Sequence, residues 1–234
     1  MTGFNPIPRL RYCAEPRSRI ASPSAIYPLP RLRYRAERQS RPLRVGIFTG
    51  LRGNVEGGLA LLHFIESLQE RTWRAAGYEL WFYPLCNPTG HEDARETSRR
   101  DTLLHGDFWR DSVEPEIMLL ERELSAQAFH GVIVLYTDDS GRGIFTGSSF
   151  GSYAWRLTEF GAGRVPLHPR YRSRGTAVAT GGPLGSPPGH QHQTFSMRLG
   201  TPKEVPMQVR IAALDAALGA VLASARHYVN LDRK

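Results

Sequence analysis

The chain has 234 residues, 41% of them hydrophobic, and a formal net charge of +8 at pH 7, which supports one sizeable core and makes a single domain the ordinary expectation. No run reaches the roughly 18 consecutive apolar residues of a membrane helix, and the Arg- and Pro-rich start lacks the apolar centre of a signal peptide, so the reading is a cytoplasmic protein with no membrane partner. Cys13 and Cys86 sit in unlike settings, one in a basic tail and one at a strand end, which excludes a disulfide framework.

The charge is unevenly placed. Residues 1–44 hold ten Arg and two Glu, whereas the rest balances 20 basic against 20 acidic side chains. Pro8-Arg9-Leu10-Arg11-Tyr12-Cys13-Ala14-Glu15 recurs as Pro30-Arg31-Leu32-Arg33-Tyr34-Arg35-Ala36-Glu37, and two copies do not make a solenoid. We expect residues 1–28 to be a basic, disordered Arg/Pro-rich extension and residues 29–234 a single α/β domain. The arginines with Tyr12, Tyr27 and Tyr34 admit an arm that binds nucleic acid or another polyanion. The plainer reading makes the second copy the domain's first strand and the first copy a duplicated extension, since basic charge alone is a weak partner signal.

Val45–Thr49 is a short β-branched and aromatic run that predicts a buried parallel strand. Leu59, Leu62, His63 and Ile65-Glu66 follow at helical spacing, predicting a helix over Gly58–Gln69. Tyr78–Tyr83, bounded by Gly77 and Pro84, is the next strand. Residues 87–112 read as a long polar loop, and a loop of that length inside a domain is usually functional. Asp111-Ser112 with Glu114 caps a helix to about Ala128, with Pro115 in its first turn. Val132–Leu135 is a central strand. Residues 161–192 are rich in Gly, Pro, Arg and His, and Pro202–Tyr228 gives a closing helix with Val209, Ala212, Ala213, Ala216, Leu218 and Val221-Leu222 on its buried face. This order predicts a mixed, mostly parallel sheet with helices on both faces and a ligand crevice beyond the carboxyl ends of the strands. Arg52 and Tyr136 both fall near strand ends and should line it together.

Several motifs resemble those of the zinc carboxypeptidase superfamily, closest to its succinylglutamate desuccinylase and aspartoacylase branch, over about residues 30–228. They are the strand and turn Gly46 to Gly58, Tyr83-Pro84-Leu85-Cys86-Asn87-Pro88-Thr89-Gly90, Phe108-Trp109-Arg110-Asp111-Ser112, Glu114-Pro115-Glu116 with Leu120 to Leu124, His130 to Asp139, and Arg198-Leu199-Gly200-Thr201-Pro202. The resemblance implies a zinc-carboxypeptidase-like (phosphorylase/hydrolase-like) α/β fold. It also implies where the chemistry would sit. The family's three zinc ligands fall on Arg52, Val55 and Tyr136, and its general base falls on Gly200. Arginine does not deprotonate and valine has no lone pair, so no zinc cofactor is expected. Of two family arginines that would hold a substrate carboxylate, only Arg99 survives; the other segment reads Leu103-Leu104-His105-Gly106 before Asp107.

These replacements point to a catalytically inactive, pseudoenzyme-type domain with a binding or regulatory role. Its expected partner is a carboxylate-bearing small molecule or an active paralogue. Candidate pocket residues are Arg52, Arg99, Tyr136, Asp138 and Asp139. Arg52 is expected to face Asp138 or Asp139 and to offer a bidentate fork to a carboxylate, or else to pair with Glu56. The alternative is a zinc-dependent hydrolase of peptide or amide bonds, of carboxypeptidase or N-acyl amino acid deacylase type, with unrecognised ligands such as His190, His192 or Asp139. His190-Gln191-His192 reads as a surface pair, His105 as a solvated loop residue, and Ser148-Ser149 lacks the strand and helix order of a nucleophile elbow. Glu56 and Glu204 stand close to lost positions. One helical step turns Glu56 by about 100°, and Thr201-Pro202 pins the register against Glu204.

Overall fold

The protein is seen in a computed structural model that describes residues 19–21, 26–35, 42–138, 145–148, 176–177, 184 and 195–231. Within the N-terminal extension, β1 (Arg19–Ala21) pairs antiparallel with β2 (Ile26–Pro28); the remainder of residues 1–28 lies outside the described residues. The main sheet has seven strands among the described residues. Their order is β3 (Leu32–Arg35), β5 (Tyr78–Tyr83), β4 (Leu43–Phe48), β6 (Gly131–Asp138), β9 (Phe195–Pro202), β7 (Phe145–Ser148) and β8 (Thr176–Ala177). The four strands β5, β4, β6 and β9 run parallel, as do β7 and β8, whereas β3 on β5 and β7 on β9 are antiparallel.

Strand alternation assigns the two faces of this sheet. Val45, Ile47, Leu80, Phe82, Ile133, Leu135, Met197 and Leu199 point to one side, under α1 (Glu56–Glu70) and α4 (Met207–Leu231). Phe48, Trp81, Tyr83, Val132 and Val134 point to the other, under α3 (Pro115–Gln127). Helices therefore cover both faces, as a mostly parallel sheet requires. On the α3 side Phe48 stacks on Tyr83 with ring centroids 4.5 Å apart, and Phe129 meets both edge-on.

The second copy of the basic repeat is the edge strand β3. Its charges are used within the fold: Arg31 pairs with Glu123 at 2.8 Å, Arg33 pairs with Glu79 at 2.7 Å, and both guanidinium groups lie over Trp81. Tyr34 is fully buried.

Several boundaries and faces differ from the sequence expectation. The first long helix starts two residues before Gly58, at Glu56, and its buried stripe is Ala60, Leu61, Phe64, Ile65 and Leu68. Leu59 and Leu62 instead face outward. In α4 the stripe runs through Ala213, Leu214, Ala217, Leu218, Val221, Leu222 and Ala225, so Val209 and Ala212 lie on its exposed side. Residues 87–112 are broken by α2 (Pro88–Glu92) and a 3-10 turn at Leu104–Gly106. The residue that precedes α3 is Glu114, whose side chain makes no capping hydrogen bond.

Candidate functional site

The turn from β4 into α1 is held open by two glycines and one asparagine. Gly50 and Gly53 take φ of 67° and 69°, a region open to glycine without steric cost. A Cβ on Gly53 would also meet the Arg95 carbonyl oxygen at 2.5 Å. The Asn87 side chain accepts from Gly90 N at 2.9 Å and donates to the Leu51 carbonyl at 3.4 Å, while Asn87 N donates to Gly50 O at 3.0 Å. The Asn-Pro-Thr-Gly turn and the strand-end turn are thereby clasped together, with the Arg52 side chain projecting beyond them.

Beyond the clasp lies a crevice of about 70 Å³ lined by Leu51, Arg52, Asn54, Val134, Leu135, Tyr136 and Arg198. It brings together Arg52 and Tyr136, two of the residues that the sequence resemblance sets at metal-ligand positions. Tyr136 lies opposite Gly200 on β9, and a Cβ added to Gly200 would come within 2.5 Å of the Tyr136 ring. The phenol ring thus fills the space into which a side chain at position 200 would project. Arg198 is the residue that sequence reasoning missed. It shares a strand face with Gly200, two residues on, and the signal was an arginine inside the mostly apolar run Phe195-Ser196-Met197-Arg198-Leu199. Burial, and less strongly the nearby Arg52 charge, push the Arg198 pKa down, against a favourable contribution from Tyr136.

The other candidates fall elsewhere. Arg52 pairs with Glu96 at 3.6 Å. Glu56 turns to the opposite side, accepting from Thr137 Oγ1 at 3.1 Å and lying 3.7 Å from the buried Arg210, so a shift of register does not bring it into the crevice. Arg99 is not among the lining residues: its guanidinium meets Glu92 at 2.6 Å and Asp93 at 3.4 Å. Val55 is exposed beside the helix start. Asp138 ends β6 with its backbone opposite Pro202, and Glu204 is exposed just past β9. Asp139, His190 and His192 lie outside the described residues.

No family profile matches the chain, and no curated protein matches it by sequence. Solved structures do. A metallo-carboxypeptidase from Burkholderia cenocepacia superimposes with a TM-score of 0.71 at 13% identity, over 87% of this chain and 62% of that one. One from Pseudomonas aeruginosa, solved with (2-guanidinoethylmercapto)succinic acid, gives 0.69 at 14% identity, over 93% and 64%. A provisionally described metallopeptidase from Shewanella denitrificans gives 0.64 at 17% identity, over 87% and 80%. The chain has the metallocarboxypeptidase fold. It spans less than two thirds of the length of the first two of these proteins, and identities this low speak to the fold and not to the activity.

The metallocarboxypeptidase fold implies zinc at this place, and the residues present do not fit it. A catalytic zinc takes three N, O or S donors and leaves one position open. The positions that the sequence resemblance aligns with the three ligands hold Arg52, Val55 and Tyr136, and Arg198 adds a second cation to the crevice wall. Among the described residues no three His, Cys, Asp or Glu side chains gather as metal donors. None of the described helices is long and apolar enough to cross a membrane.

Proposed function

We propose that this chain is a catalytically silent protein of the metallocarboxypeptidase fold whose strand-end crevice serves binding in place of hydrolysis. The observation that carries this reading is the fit of the Tyr136 ring against Gly200. Water activation needs a metal to lower the pKa of bound water and a base to accept its proton. At the base position there is no side chain, and its space is taken by the residue that stands at a ligand position. Arg52 and Arg198 support the same conclusion electrostatically, because two guanidinium groups at the crevice oppose a divalent cation.

The test is metal content together with activity. Untagged protein dialysed with zinc and then against buffer should retain well under one zinc per chain, and should not release amino acids from N-acyl amino acids or from peptide carboxyl ends above a blank. Stoichiometric zinc with amide hydrolysis would overturn the reading in favour of a metallohydrolase with ligands outside the described residues.

A further inference from the structure

We infer that the crevice between Arg52, Arg198 and Tyr136 is a binding site for a small oxyanion carrying two negative charges, a dicarboxylate or a phosphate, seated where the fold's metal would lie. This rests on the reading of the site as non-hydrolytic.

The argument begins with the wall chemistry. Two guanidinium groups, one phenol and the Asn54 amide meet the apolar side chains of Leu51, Val134 and Leu135. Guanidinium offers donors in a planar fork and no acceptor, and its fork matches carboxylate and phosphate oxygens two at a time. The wall is thus rich in donors and bears positive charge, and its apolar parts lower the local dielectric and strengthen the attraction for an anion.

Arg198 is the strongest pointer. It is partly buried in a strand, and Arg52 repels its charge. Its guanidinium lines the crevice at a desolvation cost that an anion would offset. Arg52 has Glu96 at 3.6 Å, beyond hydrogen-bond length, on a side chain that is 57% exposed. Such exposed pairs are worth about 0–1 kcal/mol, so the Glu96 contact by itself opposes an incoming anion only weakly. Size then limits the class. About 70 Å³ holds a few waters or one small oxyanion, not a peptide backbone.

The experiment is calorimetric titration of the full chain in low-salt, non-coordinating buffer with three probes: succinate, inorganic phosphate and acetate. Either dianion is expected to bind about tenfold or more tightly than acetate and to weaken as sodium chloride is raised; which of the two binds better separates a carboxylate ligand from a phosphate ligand. Arg198→Gln, with folding checked by circular dichroism, should lose about tenfold or more in affinity. Glu96→Gln, at an exposed position that should not disturb the fold, should gain affinity about twofold to fivefold by removing the competing carboxylate. Absence of binding by folded wild-type protein at 10 mM of either dianion, affinity unchanged in Arg198→Gln, or affinity lowered in Glu96→Gln would each overturn the inference. Zinc measured on the same sample keeps the two conclusions apart: stoichiometric zinc defeats the non-hydrolytic reading, whereas a zinc-free protein that ignores both dianions defeats only the anion site.

Discussion

A side chain of any size at position 200 has to displace the Tyr136 ring, since its Cβ would stand 2.5 Å from that ring. Overpacking of this kind costs about 1–3 kcal/mol. Gly200→Ala is therefore expected to lower stability by about that amount in urea denaturation, and the same substitution on a Tyr136→Ala background should cost much less. A non-additive cycle of this sort reports direct contact; equal costs in both backgrounds would show that the ring does not occupy the space. A second residue-scale expectation concerns Arg74. Its guanidinium bonds Asp215 at 2.9 Å and Ser67 at 2.6 Å and lies 4.8 Å from the centre of the Phe64 ring. Arg74→Leu strands a mostly buried Asp215, so a loss of about 2–3 kcal/mol is expected by the same measurement.

At the scale of elements, the start of α3 places Glu114 and Glu116 together in the interior, both buried, with Thr89 Oγ1 donating to Glu116 Oε1. Burial, reinforced by the neighbouring Glu114, raises the Glu116 pKa above its ordinary 4.5, against the Thr89 hydrogen bond that lowers it. A carboxyl whose folded pKa is raised favours folding fully at pH below its unfolded value and loses that contribution as pH rises through the folded value. Glu116→Gln keeps an acceptor for Thr89 and removes the titration. It should be more stable than wild type at pH 7, by a margin that shrinks toward pH 4; a margin constant across that range would count against the buried acid.

Element boundaries were legible where punctuation was strong. Tyr78–Tyr83 is bracketed by Gly77 and Pro84 and emerges with those limits. The face of α4 was not legible, because Val209 and Ala212 extend the apolar pattern into the first turns, and only packing against α1 selects the stripe through Ala213 and Leu214. The motifs set Arg52, Val55, Tyr136 and Gly200, by resemblance, at the family's catalytic positions. The consequence of that placement was not legible, because the contact of Tyr136 with Gly200 depends on the register between β6 and β9, which local sequence does not encode. Arg198 was missed for the same reason: alternation places it on a face but does not say what that face meets.

For the whole molecule, the charge excess lies in residues 1–44, yet Arg31 and Arg33 within that span are tied to Glu123 and Glu79. Residues 1–28 carry four of the ten arginines of that span, and the strands described within them, β1 and β2, pair with each other and not with the seven-stranded sheet. A chain that begins at Leu29 is expected to keep its circular dichroism spectrum and to elute from heparin at lower salt than the full chain. Loss of folding would assign the extension a structural role, and unchanged elution would remove the arm reading.

If the crevice is non-hydrolytic as proposed, the contact between Tyr136 and Gly200 also orders the steps by which such a protein could acquire hydrolytic chemistry. A glutamate gained first at 200 meets the ring and yields a less stable chain; the tyrosine has to shrink first, a change that brings no base by itself. Neither first step is rewarded, so under that proposal the packed ring acts as a ratchet: space once filled by Tyr136 is closed to any sequence of single beneficial changes that would place a base at 200.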